Sequence, residues 1–238
     1  MNKKEFEKKF VNKIIHGDCL KVMKDWPDNC VDLVLTDFPY GVEGGHGGQL
    51  KDYRKADYDG LWKDTPEYVK QKCVPTVLLS IKLANTVVFT PGTRCCNSYP
   101  QPSEVGCFFS PASSRIGLFG FQTCHPIFYY GYYKNRGKGA LATGIVMNES
   151  VEKLGHPCPK PIKAWSWLLE RCSKPNDLVL DPMCGSGTTC VAAKMLGRRF
   201  IGIDISEEYC ELSRMRLKGL KTGISVTQQK QGFKGLLG

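Results

Sequence analysis

The chain has 238 residues, 42% hydrophobic and 24% charged, with 33 Lys and Arg against 23 Asp and Glu for a net charge of +10. That length carries one well-cored domain with a small insert, and the composition excludes collagen-like, low-complexity and wholly disordered chains. No stretch reaches the ~20 apolar residues of a spanning helix, and Met1-Asn2-Lys3-Lys4-Glu5 mixes charges without an apolar core, so the expectation is a cytoplasmic protein with no leader and no membrane contact.

Short apolar runs recur along the chain. Lys13 to His16, Val31 to Asp37, Asn85 to Thr90, Asn176 to Asp181 and Arg199 to Asp204 read as buried strands, several ending in an acid and a turn. Helical stretches are expected around 65–84, 160–173, 188–196 and 206–218. This alternation predicts a three-layer α/β domain with a mostly parallel sheet. Residues 41–60, rich in Gly, Asp and Tyr, read as a mobile loop. Residues 93–123 hold Pro, Ser, Gly and scattered aromatics, and read as an insert within a single domain. Pro126 to Tyr133 is a strand-like aromatic run leading to Lys134, Arg136 and Lys138. About half of its tyrosines are expected in the core, and the outward ones, with those three cations, are candidate DNA contacts. His125 and His156 precede prolines and are read as organisers of turns, while Trp165 and Trp167 are read as packing residues.

The net positive charge suits a polyanionic partner. After Glu211 the chain has no acid but carries Arg214, Arg216, Lys218, Lys221, Lys230 and Lys234, so 219–238 reads as a flexible basic tail and these cations as phosphate contacts. The 12 cysteines form no C-x-x-C pair, and without an export signal they are expected to be reduced. Cys95, Cys96, Cys107, Cys124 and His125 match no common zinc spacing, so no metal is expected.

Two loops carry the chemistry. Asp181-Pro182-Met183-Cys184-Gly185-Ser186-Gly187-Thr188-Thr189 follows a buried strand and opens a helix. Such a G-x-G turn lets a ligand approach the backbone, and no lysine follows the second glycine as a P-loop requires. The next strand ends at Asp204, where a carboxylate can accept hydrogen bonds from ribose hydroxyls. Together these favour an adenosine-containing cofactor. The other loop, Thr36-Asp37-Phe38-Pro39-Tyr40-Gly41, sets a carboxylate beside an aromatic ring at a strand end.

These residues resemble the amino-group DNA methyltransferases that use S-adenosyl-L-methionine. Asp37, Pro39 and Tyr40 match the family's Asp-Pro-Pro-Tyr motif, with Phe38 in place of the first proline. The order is similar to that of the subgroup in which the catalytic motif precedes the cofactor loop. His16-Gly17-Asp18-Cys19 looks like the element that contacts the cofactor adenine, and His156-Pro157-Cys158-Pro159-Lys160-Pro161 like the element before the cofactor-loop strand. The resemblance covers roughly 13–92 and 124–216. It implies a Rossmann-like fold with a seven-stranded sheet and a small target-recognition insert. It also implies S-adenosyl-L-methionine held by Asp18, Cys19, Lys160, residues 181–189 and Asp204, and methyl transfer to a flipped base at residues 37–40.

The chemistry suits those residue types. An exocyclic amino group is a poor nucleophile, and a carboxylate accepting its hydrogen bond stabilises the positive charge that develops on nitrogen. The backbone carbonyl of position 38 can take the second hydrogen, and Tyr40 offers a stacking face. Phe38 lacks proline's φ restraint and is expected to place a bulky ring near the cofactor. The resemblance implies adenine N6 over cytosine N4, because in the family Asp at the first motif position goes more often with adenine and Ser with cytosine; a catalytically weakened DNA-binding relative is the alternative that Phe38 suggests. The short insert suits a brief target or a homodimer, and the resemblance implies a bacterial or phage restriction-modification setting.

Overall fold

A computed structural model describes residues 2–42, 64–111, 116–117, 120–121, 123–131, 143–146 and 160–222. Helix α1 (Lys3–Phe10) opens with a capping box: Asn2 accepts from the Glu5 N–H and Glu5 returns a bond to the Asn2 N–H, both at 3.0 Å. Its Phe6 and Phe10, four residues apart on one face, pack on Trp26 with centroids at 4.9 and 4.7 Å. Strand β1 (Lys13–His16) follows, then the short helix α2 (Cys19–Met23) capped by Asp18, then β2 (Val31–Asp37). Helix α3 (Pro66–Tyr68) runs through a π-helical turn, Val69–Cys73, into α4 (Val74–Leu83) and β3 (Ala84–Thr90).

The middle of the chain supplies β4 (Glu104–Phe109), the small hairpin β5 (Ile116–Gly117) with β6 (Gly120–Phe121), then β7 (Cys124–Gly131) and β8 (Gly144–Val146). Helix α5 (Ile162–Cys172), β9 (Leu178–Asp181), α6 (Thr188–Met195), β10 (Arg199–Asp204) and α7 (Glu207–Thr222) complete the described residues. None of these helices is long and apolar enough to cross a membrane.

The main sheet has the order β1-β10-β9-β2-β3-β7-β4-β8, with β7 antiparallel to both its neighbours and the other pairings parallel. It therefore carries eight strands rather than seven. Strands β4 and β8 form one edge of the sheet, and their Val105, Phe109 and Val146 are exposed. Strand β4 also lies inside 93–123, so that segment contributes to the main sheet as well as to a peripheral hairpin. His125 sits within β7 opposite Phe108, not in a turn. Tyr130 is buried and Tyr129 half-buried, while Tyr132, Tyr133, His156 and most of 41–60 lie outside the described residues.

Two cores flank the sheet because neighbouring strand residues point to opposite faces. Val34, Leu180, Ile201 and Ile203 pack with α1, α2 and α4 residues, while Leu33, Leu35, Val179 and Phe200 pack with α5, α6 and α7 residues. Trp165 anchors α5 by stacking on Phe108 at 5.7 Å. Parallel pairing of β2 with β9 brings the carboxyl ends of these strands together. From there the chain order runs outward in both directions, β2 to β3 and β9 to β10, which makes this junction the topological switch point where such sheets form a crevice.

Candidate active site

A cavity of about 350 Å³ opens at that junction. Asp37, Phe38, Pro39 and Tyr40 line it from the end of β2, and Asp18 and Cys19 from the start of α2. Lys160, Asp181 to Ser186, Thr188, Thr189 and Asp204 complete the residues expected there. Gly187 does not line it. With φ of +76° it turns the chain into α6, and a Cβ there would stand 2.6 Å from Ser213 Oγ. The second glycine thus serves contact between the loop and α7. Lys134, Arg136 and Lys138 lie outside the described residues.

Asp37 takes three side-chain partners. Its Oδ1 accepts from the Tyr40 hydroxyl at 2.6 Å and from Thr90, and its Oδ2 lies 2.5 Å from Lys160 Nζ. Lys160 also stands 5.2 Å from the centroid of the Tyr40 ring. The ring rests on Gly92, where φ is +67° and a Cβ would come within 2.5 Å of Tyr40 Cγ. Burial, reinforced by the Asp37 charge, pushes the Tyr40 phenol up, so its proton stays in place to donate. Asp64 closes the turn by accepting the Gly41 N–H at 2.5 Å, and burial pushes its carboxyl up.

Phe38 lines the cavity, but its ring is turned into the core. It is 1% exposed and sits in an aromatic cluster, 5.0 Å from Phe89 and 6.1 Å from Tyr99 between centroids. A β2 end facing this cluster offers an apolar socket that proline would leave underfilled.

The other loop is held by carboxylates and by α7. Asp204 accepts the Gly185 N–H at 2.7 Å and the Ser206 N–H at 2.9 Å; burial raises its pKa against these bonds. Burial likewise raises Asp181 to about 7, although Thr36 Oγ1 donates to it at 2.7 Å. Ser213 donates to the Gly185 carbonyl at 2.7 Å, and buried Arg216 to the Ser186 carbonyl at 2.7 Å. Arg216 is therefore a support of the loop, and Arg214 is engaged with Glu207, Glu211 and the Ile14 carbonyl. Neither is a free phosphate contact of a tail. Helix α7 itself runs four residues into 219–238, and 223–238 lie outside the described residues.

Partial burial works against the Asp18 carboxylate, but Lys72 at 2.8 Å outweighs it and holds the pKa below the usual range. Cys19 and Cys184 have thiols pushed up by burial, which keeps them protonated and poor nucleophiles. Sequence reasoning missed Asp64, Tyr68, Lys72, Ile205 and Tyr209 on the wall, and Thr36, Thr90, Gly92 and Arg216 behind it. Trp165, expected only to pack, does so and also reaches the wall. Lys72 follows Asp18 by 54 residues, a separation at which no local pattern pairs them.

Among the described residues, five wall carboxylates, Asp18, Asp37, Asp64, Asp181 and Asp204, face two lysines, Lys72 and Lys160, in a protein of net charge +10. An acidic crevice at the switch point of an α/β sheet suits a ligand that carries positive charge, and the net positive charge of the whole protein suits a polyanion. The comparisons with known proteins agree. Residues 128–215 match the DNA methylase family of the N6/N4 class. The type II methyltransferase M2.DpnII of Streptococcus pneumoniae is 30% identical over 243 residues, covering 86% of this chain and 89% of that protein. M2.LlaDCHI of Lactococcus lactis subsp. cremoris is 28% identical, covering 89% and 91%. Among solved structures, the M1.HpyAVI–SAM complex superposes with a TM-score of 0.62 at 22% identity, covering 86% of this chain and 99% of that one. The cytosine-N4-specific PvuII DNA methyltransferase superposes at 0.60 with 18% identity, covering 92% and 89%. The chain belongs to the amino-group (N6-adenine/N4-cytosine) DNA methyltransferase family.

Proposed function

We propose that this protein methylates the exocyclic N6 of adenine in DNA, with S-adenosyl-L-methionine as methyl donor. The observation that carries the reading is the Asp37 to Tyr40 turn facing the Asp181 to Thr189 loop across one cavity. The cavity fits the donor: its surplus of carboxylates suits a sulfonium and an ammonium, and Asp204 keeps acceptor capacity beyond the bonds it takes from the loop backbone. Bound there, S-adenosyl-L-methionine supplies an electrophilic methyl group.

The chain's own residues do the rest. Asp37 accepts a hydrogen bond from the target amino group and stabilises the positive charge that grows on its nitrogen. The carbonyl of residue 38 holds the second amino hydrogen, a task that Phe performs as proline does. Tyr40, backed by Gly92, keeps an aromatic face beside the acid for a base turned out of the duplex. Lys134, Arg136 and Lys138 serve as phosphate contacts in this reading. Adenine is preferred over cytosine because Asp stands first in the motif.

The test is tritium transfer from methyl-labelled S-adenosyl-L-methionine to mixed duplex and single-stranded DNA, followed by nucleoside mass spectrometry. N6-methyladenine that disappears in Asp37→Ala is expected. N4-methylcytosine would refute the base, and no methylated nucleoside would refute the activity.

A further inference from the structure

Three donors meet on the Asp37 carboxylate, and they are not equivalent. Thr90 is 2% exposed at the end of β3, and Tyr40 is wedged against Gly92, so packing fixes both hydroxyls. Lys160 reaches Oδ2 through a long side chain and brings a full positive charge. In the reaction proposed above, Asp37 works by stabilising positive charge on the target nitrogen. An ammonium bound to the same carboxylate opposes that charge and occupies one of the two acceptor sites of Oδ2, the oxygen that Tyr40 and Thr90 leave open. The pairing seen here is therefore unsuited to the transfer itself. The other lysine on the wall, Lys72, is held by Asp18, away from the catalytic turn. Lys160 is the wall lysine whose carboxylate partner is the catalytic acid.

We propose that Lys160 is a positioning residue that exchanges partners, leaving Asp37 for the α-carboxylate at the amino-acid end of the cofactor. Cofactor binding then clears Asp37 for the target base. The inference rests on the function proposed above and adds a coupling between the two subsites. Because coupling is reciprocal, Asp37 competes with the cofactor for Lys160, and removing the Asp37 charge tightens cofactor binding while it stops transfer.

Calorimetric titration tests this with two neutral thioethers. S-adenosylhomocysteine keeps the amino-acid carboxylate without the sulfonium charge, and methylthioadenosine lacks the amino-acid end altogether. In Asp37→Asn, Kd for S-adenosylhomocysteine is expected to fall about three- to tenfold, the scale of one partly exposed ion pair. Kd for methylthioadenosine stays unchanged. Lys160→Met weakens S-adenosylhomocysteine and abolishes the effect of Asp37→Asn. Asp37→Ala, a second way to remove the carboxylate, gives the same direction. Unchanged or weaker S-adenosylhomocysteine binding in both Asp37 variants, or equal tightening of methylthioadenosine, overturns the exchange while leaving the proposed function standing. A wild-type protein that binds neither thioether overturns the function and the exchange together.

Discussion

Replacing Gly187 by alanine should destabilise the fold by about 3–5 kcal/mol, although the glycine stays off the cavity wall. Two costs add. The φ of +76° is left-handed backbone, and holding an L-residue there costs roughly 1–2 kcal/mol. The new Cβ would also stand 2.6 Å from Ser213 Oγ, 2.8 Å from Ser213 Cβ and 3.3 Å from Ser213 Cα. Rotating the hydroxyl away loses its 2.7 Å bond to the Gly185 carbonyl, worth about 0.5–1.5 kcal/mol, and leaves the Cβ contact in place. Helix α7 must then shift against the loop, an overpacking cost of about 1–3 kcal/mol. Urea unfolding followed by tryptophan fluorescence measures the loss. The second variant, Ser213→Gly, separates the costs. In its background the Cβ contact vanishes, so Gly187→Ala should cost about 1–3 kcal/mol less, leaving the backbone part. A loss under ~1 kcal/mol for Gly187→Ala, or the same loss in both backgrounds, would refute the assignment of this glycine to contact with α7.

Two further perturbations probe the site's foundations. Phe38→Ala should cost about 3–5 kcal/mol by emptying the socket beside Phe89 and Tyr99, and Phe38→Pro should lose stability without raising methyl transfer; an unchanged urea midpoint in both variants would place the ring outside the core. Asp181 binds its proton more tightly in the fold, to about 7 against 3.8, so the native state holds the extra proton and stability falls as pH rises between those values. Asp181→Asn, which keeps an acceptor for Thr36, should remove that slope and be the more stable protein at pH 8 by roughly 2–4 kcal/mol. Parallel stability curves for Asp181→Asn and wild type from pH 4 to 8 would contradict a buried, raised carboxyl.

Much of this architecture is legible in residue order because the signals are local. The apolar runs ending at Asp37, Asp181 and Asp204 are the strands β2, β9 and β10, and the turns after them carry wall residues because strand ends of a parallel sheet share one edge. Helix α1 escaped notice because six of its eight residues are Lys or Glu, which hides the Phe6 and Phe10 pair until Trp26 is known to lie beneath them. Strand β4 escaped because its apolar stretch, Val105 to Phe109, is interrupted by Gly106 and lies in a segment rich in Pro, Ser and Gly that reads as loop.

What the sequence determined alone was the order of the strands and helices that flank the site and which residue types crowd at strand ends, since both follow from periodicity and turn chemistry over a few neighbouring positions. The tertiary structure decided which way those side chains face and whom they meet. It turned Phe38 into the core, buried Arg216 under the cofactor loop instead of leaving it for phosphates, and set Gly187 against Ser213. It also joined Lys160 to Asp37 across 123 positions of chain. Such partners are chosen by packing and by the need to pair buried polar groups, and no local spacing records that choice.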